Sequence, residues 1–292
     1  MQTISRYPQR AMLAIVLWLL TSSAGATGED ATAQVYRHFS ELLGRHLIEK
    51  KLEHDGLVSA FDYQSAFEQS RSMALIQKQR RALESFDTAA LDSRVTALAF
   101  WINAYNFFMI AQILEDPVGD NLVDSVWDYG GRYNPFRDSV FDFSRFDIGG
   151  SKYSLNQIEK EILLGEEYAQ RGWKDARVHF AVNCASVGCP PLRAQIYTPE
   201  NVDALLEENT RRALNTHRHL HVDNDTLHLS SLFKWYEGDY VEEAGSVRDF
   251  IRQHADQRVI DDINNTSRVR YIDYDWSLNR PGNFPELQGT SE

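Results

Sequence analysis

The chain has 292 residues, a formal net charge of −12 and an aromatic content of 12%. This acidic balance disfavours binding to nucleic acids or to membrane surfaces, because phosphate backbones and anionic lipids repel a negative protein surface. The aromatic content and the apolar patterning along the whole chain exclude a disordered protein. We therefore expect an acidic, soluble globular protein whose partner is an unknown protein or a small molecule.

The first 26 residues have the three parts of a secretory signal peptide. Arg6 and Arg10 precede an apolar run over residues 11–20, and Ala24 and Ala26 supply the small residues that signal peptidase requires. This run is shorter than the roughly 20 residues that span a bilayer, and no later segment is expected to span one. We predict cleavage after Ala26, export to the periplasm or the medium without a stable membrane anchor, and a single domain over residues 27–292.

Three helices are predicted in the first part of the chain, because apolar residues recur there at helical spacing. The third helix is apolar nearly all round, which is typical of a helix at the centre of a core. Pro117 ends this third helix. The three predicted helices cover residues 31–48, 71–86 and 93–115.

The second part of the chain mixes strands and helices. A hairpin is predicted over residues 140–153, with its turn at Gly149 and Gly150. Ser154 and Gln157 form a capping box that begins a helix. The remaining predicted elements are a central strand over 177–183, a second hairpin over 219–229, a last strand over 269–275, and helices over 154–164, 198–215, 231–237 and 246–255. The predicted fold class is α+β, with helices packed on a small, mainly antiparallel sheet.

Two amides interrupt the apolar core helix. Asn103 and Asn106 are three residues apart, so they share one helical face. A buried carboxamide destabilises the fold by a few kcal/mol unless it finds hydrogen-bond partners. Either the two side chains hold the backbone of a neighbouring loop, or they position a catalytic loop or a substrate. Both interpretations predict that irregular backbone packs against this face.

The two cysteines of the chain, Cys184 and Cys189, flank a short run of small residues that is followed by two prolines. Export to an oxidising space makes a disulfide the default state of such a pair. A disulfide that closes so short a loop stabilises the fold by only about 2 kcal/mol. The pair is therefore more consistent with local geometry or chemistry than with a structural cross-link.

A catalytic thiol needs a nearby base and a group that orients the base. Cys184 is the candidate nucleophile, Cys189 is the alternative, and His179 is the candidate base. Backbone amides of residues 185–188 are candidate donors to an oxyanion. The opposite interpretation is a Cys184–Cys189 disulfide with His179 as a satisfied core residue. The candidate orienting groups are Asn183, Glu159, Asn103 and Asn106.

Four histidines form a further candidate site. Strand alternation places His217, His219, His221 and His228 on one face of the second hairpin. Imidazoles on one face can bind zinc or copper. No carboxylate or cysteine completes a defined ligand spacing, so a solvent-facing polar stripe is the other interpretation. We expect no bound metal and no cofactor.

Two later segments mix aromatic and polar residues near the ends of elements, where they can line a cleft. They are the Lys234–Tyr236 run with Asp239, and residues 275–279. Together with the segments above, they resemble the Domain of Unknown Function 547 (DUF547) family over about residues 55–280. The matching stretches are residues 99–106, 148–150 with 153–155 and 158–159, 179–186 with 189–192, 233–236, and 274–279.

The resemblance implies two different roles. Some eukaryotic members of the family are fused to glutaredoxin-like domains, which implies thiol chemistry, whereas plant members carry a coiled-coil segment, which implies binding. The family pattern often has histidine directly after the glutamate that corresponds to Glu159, and here that position is Lys160. If that histidine were a catalytic base, His179 would have to serve in its place.

Two hypotheses follow for the function. The first is a thiol-dependent hydrolase or acyltransferase of papain-like or transglutaminase-like style, with Cys184 as nucleophile and His179 as base. The second is a non-catalytic binding or assembly domain of the cell envelope, in which Cys184 and Cys189 are oxidised and the polar residues are structural.

Overall fold

The computed structural model describes residues 33–131 and 139–288, so the predicted signal peptide, residues 1–26, lies outside the described residues. The helices are α1 (Arg37–His46), α2 (Tyr63–Glu68), α3 (Ser70–Glu84), α4 (Arg94–Glu115), α5 (Glu166–Gln170), α6 (Val202–Leu214), α7 (Leu232–Trp235), α8 (Glu237–Ala244), α9 (Val247–His254) and α10 (Gln257–Asn264). The strands are β1 (Leu47–Lys51), β2 (Leu57–Phe61), β3 (Phe146–Ile148), β4 (Ser151–Tyr153), β5 (Leu220–Asp223), β6 (Thr226–Ser230) and β7 (Arg268–Ile272).

Helix α4 is the centre of the larger hydrophobic core, as its sequence predicts. The Ser93 hydroxyl caps it by accepting a hydrogen bond from the Thr96 N–H at 3.3 Å. Every residue from Thr96 to Leu114 is buried. The helix is long and apolar enough to cross a membrane, contrary to the expectation that no later segment is, but its apolar stretch is enclosed within the fold.

The α+β class is confirmed, although the described strands form three separate small sheets instead of one. Strands β1–β2 and β3–β4 are antiparallel pairs, and β5–β6–β7 is a three-stranded sheet in which β7 runs parallel to β6. The β3–β4 turn lies at Gly149 and Gly150, as predicted. Gly149 has φ +56°, and a Cβ there would lie 2.7 Å from the Phe86 carbonyl oxygen. Only glycine fits this position without strain.

The predicted central strand over residues 177–183 is wrong. The chain forms a 3-10 helix there, Ala176–Phe180, and Asp175 caps it by accepting the Arg177 N–H at 3.0 Å. A strand with one exposed face would bury only every second residue. Val178, His179 and Phe180 are consecutive and all buried, so this segment does not have the burial pattern of such a strand. The segment contacts two cores, because Val178 belongs to the α4 core and Phe180 to a second core formed with β5, β6 and α7–α10.

Other predicted boundaries shift by a few residues. The capping box is present: the Ser154 N–H donates to Gln157 Oε1 at 2.9 Å, and the Gln157 N–H donates to Ser154 Oγ at 3.1 Å. The helix that it begins is a π-helix, Gln157–Leu163. The predicted helix over 198–215 begins only at Val202. The sequence did not predict the β1–β2 pair or the helices α2, α5, α8 and α10. The division into a single domain stays a prediction.

Candidate active site

A cavity of about 280 Å³ brings together four of the seven site residues that the sequence predicts. Cys184, Cys189, His179 and Glu159 all line it. They come from the turn after the 3-10 helix, from that helix itself and from the π-helix. The other described lining residues are Tyr105, Trp127, Ser139, Phe141, Asn156, Lys160, Val182, Pro190, Leu232, Trp235, Tyr236, Tyr274 and Trp276.

Asn103 and Asn106 lie behind the cavity wall and hold backbone in place. Asn103 Nδ2 donates to the Tyr197 carbonyl at 2.6 Å, and its Oδ1 accepts the Tyr197 N–H at 3.0 Å. Asn106 Nδ2 donates to the Ala181 carbonyl at 2.9 Å, and its Oδ1 accepts the Asn183 N–H at 2.8 Å. Irregular backbone therefore packs on this helical face, as both interpretations of the two amides predict.

The Asn183 side chain fixes the turn that carries both cysteines. Its Oδ1 accepts the Ala185 N–H at 2.9 Å and Asn279 Nδ2 at 3.0 Å, while its Nδ2 donates to the Pro190 carbonyl at 2.8 Å. Ala185 has φ +60°, a backbone conformation that is uncommon for a residue with a side chain. Asn183 thus holds both ends of the turn in a geometry that the local sequence alone would not favour.

The partner of His179 is Asp239 of helix α8. His179 Nε2 lies 2.8 Å from Asp239 Oδ2, and its ring stacks on Tyr236 at a centroid distance of 3.9 Å. Burial alone would raise the pKa of Asp239, but hydrogen bonds from His179 and Lys174 outweigh burial and hold the pKa of this carboxyl below its usual range. The buried Nδ1 of His179 has no hydrogen-bond partner in the described part of the chain. An imidazole held at Nε2 by a carboxylate is an oriented base whose free atom is Nδ1.

Sequence reasoning missed Asp239 as the partner of His179. It placed Asp239 in a segment that can line a cleft, and it gave the orienting role to Asn183, Glu159, Asn103 or Asn106. The two residues are separated by 60 positions and by two strands and two helices. The available signal was an acidic residue three positions after Tyr236, in the first turn of α8.

The two cysteines form a disulfide across the turn, with a Cα–Cα distance of 6.3 Å that is ordinary for such a bond. The Tyr274 hydroxyl lies 3.2 Å from each sulfur. Cys189 Sγ also accepts the N–H of Cys184 at 3.1 Å and the N–H of Ser186 at 3.4 Å. Cys189 is buried, whereas Cys184 is partly exposed to the cavity.

The backbone amides predicted to bind an oxyanion all have other acceptors. Besides the N–H groups of Ala185 and Ser186 described above, the Val187 N–H donates to the Ser277 carbonyl at 2.8 Å and the Gly188 N–H to the Asp275 carbonyl at 2.9 Å. That prediction is therefore wrong for this conformation of the turn. The Tyr274 hydroxyl, which sequence reasoning did not single out, is the donor that the structure places beside the sulfurs.

Glu159 lies on the π-helix and is only 6% exposed. The Tyr236 hydroxyl donates to its Oε1 at 3.0 Å, and Tyr105 hydrogen-bonds with it as well. Burial raises the pKa of both tyrosines, and the neighbouring Glu159 charge raises it further. Both phenols therefore stay protonated and donate to the carboxylate. π-helical turns occur frequently at functional sites.

Three tryptophans form one side of the cavity. The rings of Trp127 and Trp276 meet edge-on at 4.9 Å, and those of Trp235 and Trp276 stack at 5.8 Å. The Tyr274 ring packs 4.5 Å from Trp276 and 4.9 Å from Trp235. Trp235 is 47% exposed. An apolar wall of this kind on a cavity that also contains polar groups is typical of a ligand site.

The four histidines of the second hairpin do not share one face. His217, His221 and His228 stack in a row with ring distances of 5.5 Å and 4.6 Å. His219 lies before the strand begins and is buried against Phe180. No group of three or more potential ligand side chains that could hold a metal ion occurs within residues 33–131 and 139–288. The predicted four-histidine face is therefore wrong.

His219 is expected to make the fold sensitive to acid. Burial lowers the pKa of this imidazole to about 3, with a smaller contribution from Arg218. In the unfolded chain the imidazole binds a proton near pH 6.5, whereas the buried ring stays neutral down to about pH 3. The free energy of unfolding therefore decreases as the pH falls from about 6.5 to about 3. This one group can lower it by no more than about 1.4 kcal/mol per pH unit. Urea unfolding of the wild type and of His219→Gln at several pH values measures this slope, which the substitution should reduce.

His217→Gln is the matched control for the acid sensitivity, since it removes an exposed imidazole from the same segment. A His219→Gln protein whose pH slope equals that of His217→Gln would show that the buried ring does not cause the acid sensitivity.

Comparison with known proteins identifies part of the chain. Residues 89–213 match the family described as Protein of unknown function, DUF547. The matched range contains α4, the π-helix, the cysteine turn and all of α6 except its last residue, and it ends before Asp239 and Tyr274. No curated protein and no solved structure matches the chain.

Proposed function

We propose that this DUF547 protein is an exported, thiol-dependent enzyme that hydrolyses or transfers an acyl group. Cys184 is the nucleophile, His179 is the base and Asp239 orients the base. The observation that carries the proposal is that Cys184 and His179 line one cavity, where Asp239 binds His179 Nε2 and the buried Nδ1 has no hydrogen-bond partner among the described residues. Export rests on the sequence pattern of residues 1–26.

The reaction begins from the dithiol state. His179 Nδ1 accepts the proton of the Cys184 thiol as its sulfur attacks the substrate carbonyl carbon. A thioester forms, the bond from the carbonyl carbon to the leaving oxygen or nitrogen breaks, and His179 returns the proton to the leaving group. Water or an acceptor amine or alcohol then attacks the thioester and releases the Cys184 thiol. The Tyr274 hydroxyl is the nearest donor for the carbonyl oxygen.

Cys184 is a better nucleophile candidate than Cys189 because of exposure and contacts. Cys189 is only 6% exposed, and its sulfur accepts two backbone N–H groups. Cys184 is partly exposed, and within the described residues its sulfur hydrogen-bonds with the hydroxyls of Tyr274 and Ser186. A substrate carbonyl in the cavity meets Cys184 first.

The disulfide must open before this chemistry can start. A low-molecular-weight thiol reductant breaks the S–S bond, leaves two protein thiols and becomes a disulfide itself. The proposal therefore places activity in the reduced protein, whereas the oxidised protein has no free thiol in the described part of the chain.

A non-catalytic binding or assembly domain of the cell envelope is the second candidate. Two observations favour it. Cys184 and Cys189 are joined, and the turn amides are satisfied by intramolecular acceptors. In this alternative the cavity is a binding site, and the redox state of the cysteines changes stability but supports no turnover.

Hydrolysis of p-nitrophenyl acetate with and without dithiothreitol separates the two candidates. The wild type should hydrolyse the ester only after reduction. Cys184→Ser should lower the rate by at least about 100-fold, because the nucleophile is lost. Cys189→Ser should be active without reductant, since Cys184 then has no disulfide partner. Equal rates for the two single variants, or no hydrolysis after reduction, would favour the binding domain.

A further inference from the structure

We propose that the cavity binds an alkylammonium cation, with Glu159 as its counter-charge and the surrounding aromatic rings as its walls. This binding site goes beyond the proposed acyl-transfer function and does not require a free thiol. The inference rests on three features of the cavity: a buried carboxylate that has no cationic partner among the described residues, a set of aromatic rings, and the sign of the surrounding charge.

Glu159 is the first feature. Its carboxyl group is buried and lines the cavity, and its hydrogen bonds come from the neutral hydroxyls of Tyr236 and Tyr105. No ion pair of Glu159 exists within the described residues. A buried charge normally has a partner of opposite charge, because leaving it unpaired costs several kcal/mol. A cation that enters the cavity would supply this missing partner.

The aromatic walls are the second feature. Trp276 packs against both Trp127 and Trp235, and Tyr274 packs against Trp235 and Trp276. The negative face of an aromatic ring attracts a cation, most strongly for tryptophan, and cages of such rings recognise quaternary ammonium groups. A volume of about 280 Å³ is at the lower end for ligand cavities and suits a small head group.

The surrounding charges are the third feature. Lys160 is the cation among the described lining residues, and it is exposed at the cavity, where water screens it. Glu159 is buried, so its charge is screened less. Asp239, which lies near Lys160, is already paired with Lys174 at 2.7 Å. The chain as a whole carries −12, which attracts cations and repels anions. A cation bound beside Glu159 is therefore more favourable than a ligand carboxylate bound to Lys160.

The test compares choline with 3,3-dimethylbutan-1-ol, a neutral molecule of the same shape in which carbon replaces the charged nitrogen. Tryptophan fluorescence and equilibrium dialysis measure binding to the oxidised wild type and to Cys184→Ser. We expect choline to bind about tenfold more tightly than the neutral isostere. Glu159→Gln should remove this preference without changing the affinity for the isostere. Lys160→Gln should strengthen choline binding about twofold by removing a like charge.

Equal affinities for the two probes in the wild type would overturn the proposal. So would a choline preference that persists in Glu159→Gln, an absence of choline binding at millimolar concentrations in dialysis, or tighter binding of acetate than of choline. Unchanged isostere affinity shows that Glu159→Gln has folded. If Glu159→Gln does not fold, Tyr236→Phe is the second variant. It removes the hydroxyl that donates to the Glu159 carboxylate and keeps the aromatic ring. It should change the affinity for choline more than the affinity for the neutral isostere. Ester hydrolysis after reduction tests the thiol chemistry separately, so either proposal can fail alone.

Discussion

Asp239→Asn is expected to lower the ester-hydrolysis rate of the reduced protein by about 1,000-fold. In the proposed mechanism, neutral His179 donates its Nε2–H to the Asp239 carboxylate, so Nδ1 carries the lone pair that accepts the thiol proton. An asparagine can turn its amide toward the ring and donate to Nε2, which places the ring proton on Nδ1. The base atom is then blocked although the side chains keep their shape. The measurement is kcat/KM for p-nitrophenyl acetate after reduction.

Glu242→Gln is the matched control for Asp239→Asn. Glu242 lies on the same helix and shares Lys174 with Asp239, at 2.6 Å and 2.7 Å respectively. The control removes one negative charge from this ion-pair cluster without touching His179. It should keep most of the activity, because exposed ion pairs contribute about 1 kcal/mol or less. Equal losses in the two variants would mean that Asp239 acts through charge or stability and not by orienting His179.

The sequence predicts those parts of the site that local patterns determine. A 22-residue helix that is apolar nearly all round is typical of a core helix, and amides within it need hydrogen-bond partners. The contacts of Asn103 and Asn106 with neighbouring backbone are therefore those that burial favours. The glycine pair at 149–150 marks its turn for a similar reason, since φ is positive at both residues.

The partners of the site residues depend on tertiary packing, and sequence patterns do not contain that information. His179 meets Asp239 and Tyr236 because helices α7 and α8 pack beside the 3-10 helix. The same packing explains the error over residues 177–183. Two cores flank this segment, so Val178 and Phe180 are both buried in a 3-10 helix, and alternation of apolar residues does not distinguish that arrangement from a strand.

The cysteine turn illustrates how both kinds of information combine. Its small residues and prolines predict a tight turn, and the structure has one, with positive φ at Ala185. What holds the turn is remote in sequence: Asn106 of α4 and Asn279 near the C-terminus both bind Asn183. The proposed export would make oxidation of the two thiols the default, and the turn brings them into bonding contact. The sequence and the structure agree that the two cysteines lie close together. Catalysis by Cys184 can be tested only in the reduced protein.

Asn183→Ala is expected to destabilise the fold by about 3 kcal/mol or more. The substitution leaves the Ala185 N–H, the Pro190 carbonyl and Asn279 Nδ2 without their partner in a buried region. Each unsatisfied buried group costs about 1–3 kcal/mol, partly offset where water can enter. The measurement is the free energy of unfolding in urea under oxidising conditions, so that the disulfide is present in both proteins.

Asn265→Ala is the control for Asn183→Ala, because the Asn265 side chain is exposed and makes one hydrogen bond to the Asp261 carbonyl. It should change stability by no more than about 0.5 kcal/mol. Reduction adds a second comparison. With the disulfide intact, the cross-link still restrains the turn in Asn183→Ala, whereas reduction removes the covalent restraint between Cys184 and Cys189. The loss of stability on reduction should therefore be larger in Asn183→Ala than in the wild type. If the two losses are equal, Asn183 does not restrain the same backbone that the disulfide restrains, and the reduced turn is held by other contacts.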